Sequence, residues 1–188
     1  MKRIIASLLA GLALLALVGC GASGSGSSGS TASTPKDYTQ ILNDARSDED
    51  NEYEMIFTKK DGKFTAQYGY SAEYEPDQLS DEIENMMMPL LGLEDGMYDD
   101  FAASVPGMMV KAYGVAIVKP AEGKTQDVVD AMNAYVQGQQ QAMEHYLEDQ
   151  YEIASAAQVV TVPTGEVVMV CCEDSDTVLE NIKKALAA

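Results

Sequence analysis

The residues predict an α+β fold, a mainly antiparallel sheet with a long helix and a C-terminal helix packed on one face. Three observations carry this. Lys60-Asp61-Gly62-Lys63 sets an Asp-Gly pair between two runs rich in aromatic and branched residues, the signal of a hairpin. The C-terminal half reads strand, strand, long helix, hairpin, helix. Two of its strands, ending in Ala116-Ile117-Val118 and in Val170-Cys171-Cys172, are almost wholly apolar, as buried strands are.

The elements follow in order. Asp37 to Arg46 has Tyr38, Ile41, Leu42 and Ala45 at helical spacing, with Asp37 as N-cap. Ser47 to Glu52 reads as an acidic loop. Tyr53 to Thr58 is the first strand, and Phe64 to Tyr74 returns as the second. Pro76 opens a helix with Leu79, Ile83, Met86 and Met87 on one side, and Pro89 ends or kinks it. Gly92 and Gly96 break the segment after it. A short strand is expected at Phe101 to Val105, and a longer, central one at Val110 to Lys119. Pro120 to Lys124 turns the chain.

A single helix is expected from Thr125, its N-cap, to about Asp149. Its apolar stripe is Val128, Met132, Tyr135, Gln139, Met143 and Leu147. Ala157 to Val162 and Val167 to Cys172 form a hairpin across Pro163-Thr164-Gly165. Asp174-Ser175-Asp176 opens the last helix, Thr177 to Leu186. Cys171 and Cys172 point to opposite faces of a strand and read as small buried hydrophobes.

The N-terminus carries an address. Lys2 and Arg3 precede Ile4 to Val18, an apolar run of 15 residues, too short for the ~20 that span a bilayer. Leu17, Val18 and Gly19 then lead into Cys20, the pattern of a lipobox. The expectation is a signal peptide over residues 1–19, cut before a Cys20 that carries lipid. Two acyl chains, at ~0.8 kcal/mol per buried CH₂, give stable attachment where one does not.

Gly21 to Pro35 is uncharged and has no large apolar residue, so residues 20–36 are expected to form a disordered tether. Such a chain spans roughly 20 Å. Residues 37–91 are expected to form an N-terminal helix and hairpin extension, and 92–188 the α+β domain.

Charge narrows the partners. The chain carries 12 basic and 30 acidic residues, net −18, and losing Lys2 and Arg3 takes it to −20. Nucleic acid is repelled by such a surface. The expected partners are the membrane, through lipid on Cys20, and an envelope or protein component.

Five segments carry a resemblance. They are Pro106 to Ala112, Ala116 to Pro120, Glu122-Gly123-Lys124, Tyr146 to Tyr151 and Gly165 to Val168. In this order they resemble the bacterial lipoprotein family described as domain of unknown function 4358, over roughly Gly92 to Leu186. The resemblance implies a small α/β domain behind a lipobox on the cell surface. It implies no catalytic residues.

No catalytic constellation is legible. There is one histidine, His145, which could share an ion with Glu148 at i, i+3 but cannot build a His cluster. No Gly-x-Ser-x-Gly, P-loop or dinucleotide fingerprint occurs. Asp48 to Glu52, and Asp95 with Asp99 and Asp100, offer oxygen ligands without the spacing of a calcium loop. Six methionines, Met86, Met87, Met88, Met97, Met108 and Met109, suit either a core or an adaptable apolar groove.

The expectation is therefore a non-enzymatic, lipid-anchored, extracytoplasmic binding or structural module that uses no cofactor and no metal. The alternatives are a small-ligand or cation-binding lipoprotein serving a transporter, which requires a cleft, and a carboxylate-dependent hydrolase.

Overall fold

The computed structural model describes residues 36–68, 72–74, 76–106 and 110–188. The expected signal peptide, the Leu17-Val18-Gly19-Cys20 segment, the expected tether up to residue 35, and Met108 and Met109 lie outside them.

Seven antiparallel strands form one sheet in the order β3-β2-β1-β4-β5-β7-β6. They are β1 Met55–Lys60, β2 Lys63–Tyr68, β3 Ala72–Tyr74, β4 Tyr98–Ser104, β5 Gly114–Pro120, β6 Gln158–Thr161 and β7 Val167–Cys171. The helices are α1 Tyr38–Ala45, α2 Asp48–Tyr53, α3 Pro76–Glu82, α4 Met88–Leu91, α5 Thr125–Met143, α6 Glu148–Ser155 and α7 Ser175–Ala187. A π-helical turn, Ile83–Met87, joins α3 to α4.

The α+β class and the antiparallel sheet are as the residues predict. The placement of the helices is not. Both faces of the sheet are covered, and the long helix and the C-terminal helix lie on opposite sides. Ala116 and Val118 of β5, with Val167 and Met169 of β7, pack with Val128, Met132 and Tyr135 of α5 and with Ile83, Met87 and Leu91. Val115 and Ile117, with Val168 and Val170, pack with Leu42 of α1 and with Val178, Leu179 and Ile182 of α7. Alternation along each strand divides the two cores. Strands apolar on both faces are what a doubly covered sheet needs.

Residues 37–91 supply β1, β2 and β3 to the same sheet as the rest. The Asp61-Gly62 turn holds both residues at positive φ, 52° and 77°, which matches the twist of the flanking strands. The expected second strand, Phe64 to Tyr74, is two antiparallel strands, β2 and β3. The expected strand from Val110 starts only at Gly114, and Val110 is exposed.

The expected acidic loop at Ser47 to Glu52 is mostly the helix α2. Ser47 Oγ accepts from the Asp50 N–H at 3.0 Å, and Asp48, Glu49 and Asp50 put negative charge at the positive end of the helix. Ser47→Ala will lower stability by about 1 kcal/mol. Urea unfolding checks this, and an unchanged midpoint would remove the cap from the account.

Between Pro76 and Leu91 the π turn changes which methionines are buried. The Met88 N–H bonds to the Ile83 carbonyl, five residues back. Pro89 lacks an N–H, so the widened turn falls just ahead of it. Met87 and Met88 are buried as a result, whereas Met86, expected on the buried side, is 59% exposed.

The expected single helix from Thr125 to Asp149 is α5 and α6. Thr125 is its first helical residue, not its cap, and Lys124 precedes it. Val128, Met132, Tyr135, Gln139 and Met143 are buried as the stripe predicts, but Leu147 lies beyond the break and is exposed. The Gln140 side chain donates to the Ala154 carbonyl at 3.1 Å, and Met143 and Ala154 share a small core with Ala112 and Cys171. Asp174 precedes α7 at φ 51° without a side-chain cap. No helix among the described residues is long and apolar enough to cross a membrane.

Candidate functional site

A cleft of about 530 Å³ opens between α1–α2, the segment leading into β5, α6, and the β7–α7 turn. This is within the size range of small-molecule sites.

Its deepest charged group is Arg46, at the C-terminal end of α1 and 6% exposed. The guanidinium reaches neutral oxygens on four segments. Nη1 donates to Ser104 Oγ at 2.8 Å, to the Tyr113 hydroxyl at 2.9 Å and to the Glu54 carbonyl at 3.3 Å. Nη2 and Nε both donate to Asn51 Oδ1, at 2.7 and 3.2 Å. The Asn51 amide in turn donates to the Asn43 carbonyl at 2.8 Å, so α1 and α2 are tied together behind the cleft.

Tyr113 forms the floor and is held from both sides of the sheet. Its hydroxyl meets Arg46, and its carbonyl accepts from the Tyr135 hydroxyl at 2.5 Å. Burial raises the Tyr113 phenol far above its ordinary range. Lys111 lies over the Tyr113 ring, 4.7 Å from its centre, a cation–π distance. It pairs with Glu54 at 2.9 Å and Asp50 at 3.7 Å. Burial pulls Lys111 down, but the Glu54 hydrogen bond and charge, with Asp50 and Glu49 behind it, hold the ammonium above its usual value.

The opposite wall is set by α6 and α7. Gln150 Oε1 accepts from the Ala112 N–H at 2.9 Å. That bond joins two of the segments on which the family resemblance rests. Ile153 and Val178 add apolar surface, and Glu173, Asp174 and Asn181 line the rim.

Cys172 closes the end of the cleft. Both free thiols are buried, Cys171 at 0% and Cys172 at 4% exposure, and burial pushes each up to about 12. Neither forms thiolate at neutral pH. An alkylating reagent will therefore leave both unmodified in the folded chain and label both in denaturant. Rapid native labelling, read by peptide mass, would contradict this burial.

Of the residues singled out from sequence, Glu49, Asp50 and Cys172 line the cleft, and the others fall elsewhere or take other roles. His145 is exposed in the turn between α5 and α6, not on a helix beside Glu148. Asp95 pairs with Lys59 at 2.6 Å and accepts from the Tyr98 hydroxyl at 3.1 Å, bonds that hold its carboxyl below the ordinary value. Asp100 accepts from the Phe101 N–H at 2.8 Å. Among the described residues no group of three or more His, Cys, Asp or Glu side chains could hold a metal ion. Cys20, Leu17, Val18 and Gly19 lie outside the described residues. Arg46 and Tyr113 carry no motif, Lys111 and Gln150 lie in two of the resemblance segments, and only their convergence from distant segments marks the four as a site.

No curated protein and no solved structure matches the chain. A family model does, over residues 70–172. The match begins earlier than the resemblance legible in sequence and ends before α7. It includes the Lys111–Tyr113 floor and Gln150, but not α1 or α2. With more than half of its 188 residues matched, the chain belongs to the family described as domain of unknown function (DUF4358).

Proposed function

We propose that this chain is a non-enzymatic binding module, held on the extracytoplasmic face of a bacterial membrane by lipid on Cys20, that takes its ligand in the cleft over Tyr113. The cleft is the observation that supports binding: about 530 Å³, with an immobilised Arg46–Tyr113–Lys111 floor. Rigid polar groups set in a concave surface are what selective uptake requires. The Leu17-Val18-Gly19-Cys20 sequence supports the anchor. Capture of a small ligand for a transporter is the form of this reading that a cleft favours. Docking of an envelope protein is the second form. It is favoured by Tyr146, Leu147 and Tyr151 of the α5–α6 region, exposed at 73%, 37% and 37%.

A thermal-shift screen of the full chain in detergent tests the binding. The panel is divalent cations, sugars, amino acids, amines and peptides. One class will raise the midpoint saturably, by about 2.7 kcal/mol of stability at 100 times the dissociation constant. Filling the cleft with Asn181→Trp will abolish the rise. No response that depends on the cleft would overturn the reading. The anchor is tested by fractionation, where Cys20→Ser will move the chain out of the membrane fraction.

A further inference from the structure

The cleft is lined by six charged residues, and they do not play equal parts. Arg46 spends its guanidinium on Asn51, Ser104, Tyr113 and the Glu54 carbonyl. Lys111 is taken by Glu54 and Asp50. The cleft's two bases are thus engaged inside the protein. Glu49 on α2, and Glu173 and Asp174 on the β7–α7 turn, are exposed and form none of the ion pairs among the described residues.

These acids stand on two separate walls. Asp50 and Asp174 both raise the Cys172 thiol, with Arg46 opposing them. They do not converge as a metal site would. The lining also offers apolar surface, Ala112, Ile153 and Val178 beside Cys172, together with the uncharged polar Gln150, Thr177 and Asn181.

We infer that the cleft binds a linear organic cation, an aliphatic chain carrying two or more ammonium groups. One ammonium pairs with Glu173 and Asp174. The methylenes lie along Ile153 and Val178, and a second ammonium reaches Glu49. Charge-assisted hydrogen bonds fix the ends, and burial of methylenes favours a long stem over a bare ion. All four lining carboxylates lie outside residues 70–172, so the charge preference belongs to this chain and not to the matched family region. The inference rests on the reading of the cleft as a ligand site.

Isothermal titration of the full chain in nonionic detergent, at about 0.15 M salt to screen the general surface charge, tests it. The probes are spermidine, 1,5-diaminopentane, n-pentylamine, magnesium and a lysine-containing peptide. The expected result is saturable binding of the polyamine or diamine. It is at least tenfold weaker for n-pentylamine and for Glu173→Gln/Asp174→Asn, and unchanged for Asp127→Asn/Glu180→Gln away from the cleft. Tighter binding of the peptide, with the same loss in the cleft variant, assigns the ammonium groups to a partner's side chains and upholds the chemistry. Equal loss in both double variants, or magnesium binding as tightly as the diamine, means diffuse attraction to an acidic protein and overturns the inference. Amines that do not bind, while another class binds and is blocked by Asn181→Trp, overturn the charge assignment alone. If Asn181→Trp blocks nothing in the panel, the cleft reading falls with it.

Discussion

Arg46→Met will lower the unfolding midpoint by roughly 6–12 °C. Methionine keeps the apolar stem but removes every N–H. The Ser104 and Tyr113 hydroxyls are near enough to bond one another. The part-buried Asn51 Oδ1 and the buried Glu54 carbonyl lose their Arg46 donors. Each buried acceptor left unmade costs about 1–3 kcal/mol, which puts the total near 3 kcal/mol. At about 2–4 °C per kcal/mol for a chain of this size, the midpoint shift follows. Arg46→Lys will recover only part of it, because an ammonium cannot reproduce a planar fork to four segments. A loss below about 1 kcal/mol in urea, with unchanged m-value, would mean that Arg46 does not hold the cleft together.

Gly114→Ala will destabilise by about 3 kcal/mol, against the usual trend. In a strand, Gly to Ala is normally favourable by about 0.5–1 kcal/mol, because glycine loses more freedom on folding. Here a Cβ would sit 2.5 Å from Tyr135 Cε1 and 3.0 Å from its hydroxyl. Tyr135 is 4% exposed and packed in the α5 core, so it cannot swing away. Overpacking costs about 1–3 kcal/mol, and displacing the Tyr135 hydroxyl from the Tyr113 carbonyl adds about 1 more. A double-mutant cycle separates the two causes. In a Tyr135→Ala background the Gly114→Ala change should cost little or turn favourable, a coupling of more than about 2 kcal/mol. Additive effects would show that the strand itself, not the ring, demands glycine.

These two sites illustrate what sequence alone can carry. Gly114 sits inside an apolar run, VKAYGVAIVK, and nothing local says that a ring from a helix 21 residues on will lie against it. Arg46 is the last residue of an ordinary amphipathic segment. Its partners Asn51, Ser104 and Tyr113 are separated from it by 5, 58 and 67 positions. Local pattern reports which face of an element is apolar, not which distant polar group meets its end.

The missed elements have the same cause. Glu144-His145-Tyr146-Leu147 contains neither Gly nor Pro, so the stripe of α5 gives no warning of the break. The break exists because α6 folds back, supplying Ala154 to the core around Met143 and Gln150 to the Ala112 N–H. The segment Ser47 to Glu52 has no apolar periodicity, and its helix depends on the Ser47 cap and on Asn51 and Asp50 meeting Arg46 and Lys111.

By itself the sequence determined the α+β class, the Asp61-Gly62 hairpin, the central position of β5, the buried character of Cys171 and Cys172, and the family. Each depends on period, turn chemistry or residue order, which are local. The tertiary structure alone decided that α5 and α7 cover opposite faces, that β1, β2 and β3 extend the same sheet, and that Arg46, Lys111, Tyr113 and the acids of α2 and the β7–α7 turn surround one cleft. A strand apolar on both sides is compatible with helices on either, so sidedness is settled only when the connections close. A site built from single residues on four segments has no sequence period at all.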